Sequence, residues 1–258
     1  TYIASAAYYA SLQYAKERPQ GRALNKKDIN EAQITIIHHA DVRRMLFSQK
    51  AFVEGALSLV MQCYKYVDDE KIAAVEDKER FSDLLELLTP VAKTYGAEMG
   101  IISVNYGMQV LGGYGYTKDF ILEQLARDIR VLSLYEGTTG IQAQAVLGRQ
   151  ITLNNGRALQ YWKEEVQQDV DEAEVFDDLK QYAEWLSQDV QTLETTTIHL
   201  LNVASQGEKE IFLSDATLYI ELFGLVNVAW QWLKQGIASQ KKLGLDHKTE
   251  RDKKFYRS

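Results

Sequence analysis

The residues best placed to do chemistry fall between Gln109 and Gln142, in the run QVLGGYGYTKDFILEQLARDIRVLSLYEGTTGIQ. Glu136 stands out there, inside Tyr135-Glu136-Gly137-Thr138. That segment predicts a tight turn between two helices, directly before a helix N-terminus. Thr139 and Gln142 have the spacing of a capping box for the helix that follows. Such a turn can aim a carboxylate into a cavity between helices, and the adjacent backbone N–H groups suit an anion such as a phosphate. Taken by itself, the same pattern also describes an acidic residue stabilised by the positive end of a helix dipole. The cluster Gly112-Gly113-Tyr114-Gly115 follows a helical pattern and no strand, so it reads as a helix terminator, not a dinucleotide-binding fingerprint. His38-His39 has no partner at metal-ligand spacing, and no metal site is expected. The one cysteine, Cys63, excludes an intramolecular disulfide and fits a reducing, cytoplasmic setting.

The elements that must position these residues read as helices almost throughout. Only two prolines interrupt the chain, glycines cluster, and alternating β-branched runs are missing. Residues 1–18 form a helix stopped by Pro19 and Gly21. A second, long helix is expected to begin after Asp28 or Asn30, with a buried stripe of Val42, Leu46, Val53, Leu57, Val60, Tyr64 and Val67. The charged stretch Asp68 to Arg80 reads as a solvated loop or frayed connection. Thr89-Pro90 reads as an N-cap and first helical residue, opening a helix that runs to Leu111 and stops at Gly112-Gly113. Further helices are expected over roughly Asp119 to Leu134 and from near Thr139. Long antiparallel helices with short loops make an all-α, up-down helical bundle.

After Asn154-Asn155-Gly156, a strong turn signal, the character changes. Phe176, Leu179, Ala183, Leu186, Val190, Leu193, Thr197, Leu200 and Ala204 make a heptad-like seam. Leu218, Leu222, Leu225, Ala229, Leu233 and Ile237 make a matching stripe on a last helix. A turn at Ser205-Gln206-Gly207 would join the two as an antiparallel hairpin. The expected division is a bundle domain over 1–154 and a helical extension over 155–258.

Bulk composition limits the function classes. A formal charge of −7 gives no electrostatic footprint for nucleic acid. The basic run Lys248 to Arg257 is short and terminal, and reads as a frayed, solvated tail. No apolar stretch approaches the ~20 residues that span a bilayer, and no signal peptide is visible. The chain opens on Thr1-Tyr2-Ile3 without a Met and already inside an apolar helical pattern, as expected for a piece of a longer polypeptide.

The stretch from Gln109 closely resembles the C-terminal signature of acyl-CoA dehydrogenases. There a helix ends Gln-x-x-Gly-Gly-x-Gly, an Arg-Asp segment follows, and then Tyr-Glu-Gly-Thr-x-x-Ile-Gln. The matching positions are Gln109, Gly112, Gly113, Gly115, Arg127, Asp128, Tyr135, Glu136, Gly137, Thr138, Ile141 and Gln142. Tyr14-Ala15-Lys16-Glu17-Arg18 is similar to the family's Tyr-Ala-x-x-Arg segment, but the usual Gln-Phe-Gly continuation is Pro19-Gln20-Gly21 here. That departure resembles the longer family branch with an extra C-terminal domain.

The resemblance implies a flavin enzyme that converts an acyl-CoA thioester to a trans-2-enoyl-CoA. It implies Glu136 as the base that takes the α-proton, with Tyr135 and Gly137 beside the substrate. It implies FAD contacts from Arg18, Gln109, Gly112, Gly113 and Thr138. It further implies electron-transfer flavoprotein as acceptor and a homo-oligomer, with a dimer favoured because the extension would cover a tetramer surface. The family's N-terminal helical and middle β-domains are not in this chain, so the 258 residues alone are expected to lack activity and to bind flavin weakly. The competing expectations are an acyl-CoA oxidase, which shares the proton chemistry, and a non-catalytic helical interaction module. An intact Glu136 motif counts against the module.

Overall fold

The structure is a computed structural model that describes residues 1–23, 30–244 and 249–257, without the side chains of residues 76 and 257. Asp28 and Lys248, named above as a helix start and as the head of the basic run, lie outside the described residues. Among the described residues the chain is α-helical with no named strand, as expected. In chain order the helices are α1 (Tyr2–Glu17), α2 (Ala40–Ile72), α3 (Val75–Leu111), α4 (Leu122–Arg130) and α5 (Thr139–Gly148). They continue with α6 (Leu153–Ala173), α7 (Lys180–Ser205), α8 (Lys209–Ser214), α9 (Ala216–Leu243) and α10 (Glu250–Arg257).

The helices form two compact units. One comprises residues 1–57 and 93–139, the other residues 58–92 and 140–258. In the first unit, α1 packs on α4 through small residues, with Ala4, Ala7 and Ala15 fully buried. Around them gather Met45, Leu46 and Val53 of α2, Val104 and Val110 of α3, and Leu122, Leu125 and Ile129 of α4. Two glycines of α3 admit α4 closely: a Cβ on Gly100 would lie 2.9 Å from Ile129 Cδ1, and one on Gly107 3.0 Å from Leu122 Cδ1. α4 is thereby seated on α3, and the turn that carries Glu136 follows directly from its end.

Two expectations about this unit change in detail. α2 begins at Ala40, later than expected. The β-branched run Ile34-Thr35-Ile36-Ile37 prefers extended backbone and pairs with the chain leaving α1, through Gln20 N–H to Ile34 O (2.9 Å) and Ile36 N–H to Arg18 O (2.9 Å). Leu57, assigned to the buried stripe, is 48% exposed.

In the second unit α6, α7 and α9 pack on one another, and α10 lies against α9. Trp162 of α6 is its anchor, meeting Phe223 edge-on at 4.9 Å and donating to Asn227 Oδ1 at 2.9 Å. The seam of α7 is filled within the chain: Ala183, Leu186, Leu193, Thr197 and Leu200 are buried, and Thr197 and Tyr219 share a hydrogen bond of 2.8 Å. The turn at 154–156 is present, with Asn154, Asn155 and Gly156 all at positive φ. So is the turn at 205–207, where Gly207 has φ +91°.

Four expectations are corrected here. Thr89-Pro90 does not open a helix but lies inside α3, where the Thr89 hydroxyl donates to Leu85 O at 2.6 Å. Leu84, Leu87, Leu88 and Val91 are wholly buried on both sides of the proline, and their burial outweighs the ~3 kcal/mol an interior proline costs. The stretch Asp68 to Arg80 is no loop, since α2 runs to Ile72 and α3 starts at Val75. Several of its charges are paired, among them Lys71 with Asp68, and Arg80 with Glu164 (2.7 Å) and Glu165 (3.2 Å). On α9 the buried stripe is Tyr219, Phe223, Val226, Trp230, Leu233 and Ile237, whereas Leu218 and Leu225 are exposed. Finally, the C-terminal run forms α10, opened by reciprocal bonds between Thr249 and Asp252.

Candidate active site

The chain leaves α4 through a short 3-10 turn, Val131–Ser133, whose buried Ser133 hydroxyl donates to Arg130 O at 3.2 Å. It then turns sharply over residues 134–138 before α5 begins. Glu136 has φ +52° and Gly137 φ +93°. Glycine meets such an angle freely, but for an L-residue the left-handed region costs roughly 1–2 kcal/mol. Asparagine or aspartate offsets part of that with a short side chain that bonds locally, which glutamate is too long to copy. The strain is therefore held by the surroundings. Lys93 Nζ donates to Gly137 O at 2.6 Å, and the Thr139 hydroxyl bonds the Glu98 carboxylate. Both partners sit on α3.

The expected helix start at Thr139 is present, and its hydroxyl bonds the Glu98 carboxylate of α3. Glu136, Tyr135 and Thr138 are exposed and Gly137 is half-buried. Glu136 is thus exposed on this chain, and Val131, Leu134 and Tyr135 of the same segment expose apolar side chains.

A second group of expected residues collects at the C-terminal end of α3. Arg18 ends α1, and its guanidinium lies over the Tyr114 ring, 5.7 Å from the centroid. Its Nε is buried without a hydrogen-bond partner. Gln109 is exposed one turn before Gly112, which ends α3 at φ +61°. A Cβ on Gly112 or Gly113 would meet nothing within 4 Å, so that surface is open. Gly115 differs: a Cβ there would fall 2.6 Å from Met108 O, and only glycine lets the turn fold back on its own helix. Phe120 pins the turn down, with Tyr14 and Tyr114 each 5.7 Å from it.

The structure thus brings Tyr135, Glu136, Gly137 and Thr138 together, and separately gathers Arg18, Gln109, Gly112 and Gly113. The first set is tied to α3 at positions 93 and 98, the second lies at 109 and beyond. At 1.5 Å per residue the two are roughly 16–24 Å apart along that helix. Lys93 and Glu98 escape a reading of the sequence, because isolated charges on a long helix look like solvated surface and no spacing marks them. Among the described residues no cluster of His, Cys, Asp and Glu could hold a metal ion; His39 Nε2 lies 2.7 Å from Gln20 O. No helix among them is long and apolar enough to cross a membrane.

Comparison with known proteins gives the chain's family. Residues 2–151 match the family described as acyl-CoA dehydrogenase, C-terminal domain, and residues 162–258 match acetyl-CoA dehydrogenase C-terminal like. The chain therefore belongs to the acyl-CoA dehydrogenase family. It is 36% identical over 162 residues to a butyryl-CoA dehydrogenase of Syntrophomonas wolfei, covering 62% of this chain and 26% of that protein. The chain thus spans about a quarter of the length of this curated relative. Its fold is similar to that of Caenorhabditis elegans ACDH-11, solved in complex with C11-CoA, with TM-score 0.71 at 17% identity over 98% of this chain and 39% of that one. It is also similar to an acyl-CoA dehydrogenase of Bacillus anthracis solved with FAD, with TM-score 0.67 at 19% identity over 98% of this chain and 42% of that one.

Proposed function

We propose that this chain is the C-terminal portion of a flavin-dependent acyl-CoA dehydrogenase, in which Glu136 removes the α-proton of an acyl-CoA thioester. The observation that carries the reading is the left-handed backbone at Glu136. A strained glutamate in a segment tied to α3 at Gly137 and Thr139, with exposed apolar residues just before it in the chain, is the form a built catalytic group takes.

The α-hydrogen of a thioester is weakly acidic, so removing it needs a base in a dry setting and a donor for the oxygen that gains charge. The Glu136 carboxylate takes the proton, and its own backbone N–H bonds the thioester oxygen. An acyl chain laid against Leu134 and Tyr135 would exclude water from the carboxylate and raise its basicity. As the α-proton leaves, the α,β double bond forms and the β-hydrogen departs with its electron pair. FAD, when bound, supplies the acceptor for that hydride.

The residues present fit FAD. Arg18 offers a buried Nε donor that lacks a partner, suited to a pyrophosphate, and the bare surface at Gly112 and Gly113 leaves room for an adenosine half near Gln109. Thr138, at the entrance to α5, would reach the same cofactor. Separation of the two groups by roughly 16–24 Å along α3 suits a homo-oligomer, a dimer in this reading, in which each group serves a different copy of the site. Electron-transfer flavoprotein is the expected final acceptor. In this reading residues 1–154 carry the site and residues 155–258 are an appended helical extension.

The test is acyl-CoA-dependent reduction of a dye acceptor by the full-length protein. The reading expects reduction with little hydrogen peroxide formed in air. Peroxide in step with substrate consumed would assign an oxidase instead, and no acyl-CoA-dependent reduction would overturn the reading.

A further inference from the structure

We infer that Lys93 and Glu98 are positioning residues for Glu136, tying down the segment that follows it and so holding the carboxylate where the α-proton must go; this rests on Glu136 being the base. Three observations meet at one place. First, Glu136 holds a conformation that its residue type disfavours, with Gly137 beside it at φ +93°. Left alone, such a turn would relax through rotation of the peptides from Glu136 to Thr139. Second, the Gly137 carbonyl accepts from Lys93 Nζ at 2.6 Å. That bond fixes the peptide that follows Gly137, and a charged donor is about twice as strong as a neutral one. Third, the Thr139 hydroxyl bonds the Glu98 carboxylate, which anchors the first residue of α5 to the same helix.

The two ties come from one rigid element. Lys93 and Glu98 are half-buried, and the five helical steps from one to the other span roughly 7.5 Å along the axis of α3. They flank Ala97, which is 4% exposed, and Thr94, which is buried. A bracket of that span matches the short segment from Gly137 to Thr139. Neither side chain is spent on a structural ion pair, since no salt bridge joins Lys93 or Glu98 to another charged residue among the described side chains. Their polar ends go to the turn. A base misplaced by an ångström can lose about a hundredfold in rate, so a strained turn needs such ties if its carboxylate is to act repeatedly.

The experiment uses the full-length protein with bound FAD and compares Lys93→Met, Lys93→Arg and Glu98→Ala with Glu136→Gln in parallel. Steady-state kinetics give kcat and KM, and amide hydrogen exchange of residues 136–139 is followed in the flavin-free protein. Lys93→Met is expected to lower kcat about 30–100-fold with KM near that of the parent, and to speed exchange in the turn. Lys93→Arg, which still reaches a carbonyl, is expected to recover most of the rate and the protection. Glu98→Ala should behave like Lys93→Met, and the double variant should lose less than the product of the two, because both act on one turn. If Lys93→Met keeps parental kcat and protection while Glu136→Gln is inactive, the ties are overturned and the base assignment stands. Turnover retained by Glu136→Gln overturns the base assignment and with it the catalytic meaning of the ties.

Discussion

Glu136 occupies a backbone conformation in which its Cβ crowds the neighbouring carbonyl, and the surrounding bonds hold it there. A residue kept against its own preference trades stability for placement, and that trade can be measured. Glu136→Gly is expected to raise the unfolding free energy by about 0.5–1 kcal/mol in denaturant titration, the relief of strain outweighing the added freedom of the unfolded chain. Loss of stability in that variant would mean the glutamate side chain makes a net favourable contribution where it stands. Gly115 gives the opposite sign. A methyl group there meets the Met108 backbone at 2.6 Å, which cannot yield as a side chain tip would. Gly115→Ala should therefore cost about 2–3 kcal/mol and loosen the turn that carries Arg18's ring partner, Tyr114. A stable Gly115→Ala variant would mean the turn is not folded back in this way.

At the scale of elements, helix periodicity located most of the helices and both glycine turns, and it failed where two physical effects compete. Thr89-Pro90 carries the local mark of a helix start, but four leucine and valine side chains around it are wholly buried, and packing decides. α9 is apolar on more than one face, so spacing alone fits both Leu218–Leu225 and Tyr219–Phe223; only packing on Trp162 selects the second. The Glu136 motif was legible as a pattern, whereas Lys93 and Glu98 were not, because their meaning depends on a contact with a segment some forty residues away. One ion pair of α6 and α9 makes a pH prediction. Asp169 accepts from Trp230 Nε1 at 2.6 Å and lies 3.7 Å from Lys234. Burial pushes its carboxyl above the usual carboxylate range, with Lys234 and the Trp230 N–H offsetting part of the rise. A pKa raised on folding stabilises below the unfolded value and loses that contribution as pH rises through the folded value. The melting temperature of Asp169→Asn should therefore gain on the parent as pH climbs from about 4 to about 7. A constant difference across that range would contradict the assigned burial.

At the scale of the molecule, two groups of site residues lie apart on one long helix, each with exposed members. The carboxylate of Glu136 is exposed and the glycine surface near Arg18 is open. The 258-residue chain expressed alone is therefore expected to bind FAD weakly and to oxidise no acyl-CoA, as read by absorbance in the flavin bands and by dye reduction. A yellow, flavin-saturated preparation would show that the site is more complete than the geometry indicates. The central claim is that Glu136 removes the proton, and single-turnover bleaching of the bound flavin by acyl-CoA tests it most directly. In the full-length protein, Glu136→Gln should retain flavin and bind acyl-CoA, yet bleach at least about a hundredfold more slowly than the parent. Bleaching at the parental rate in that variant would place the base elsewhere.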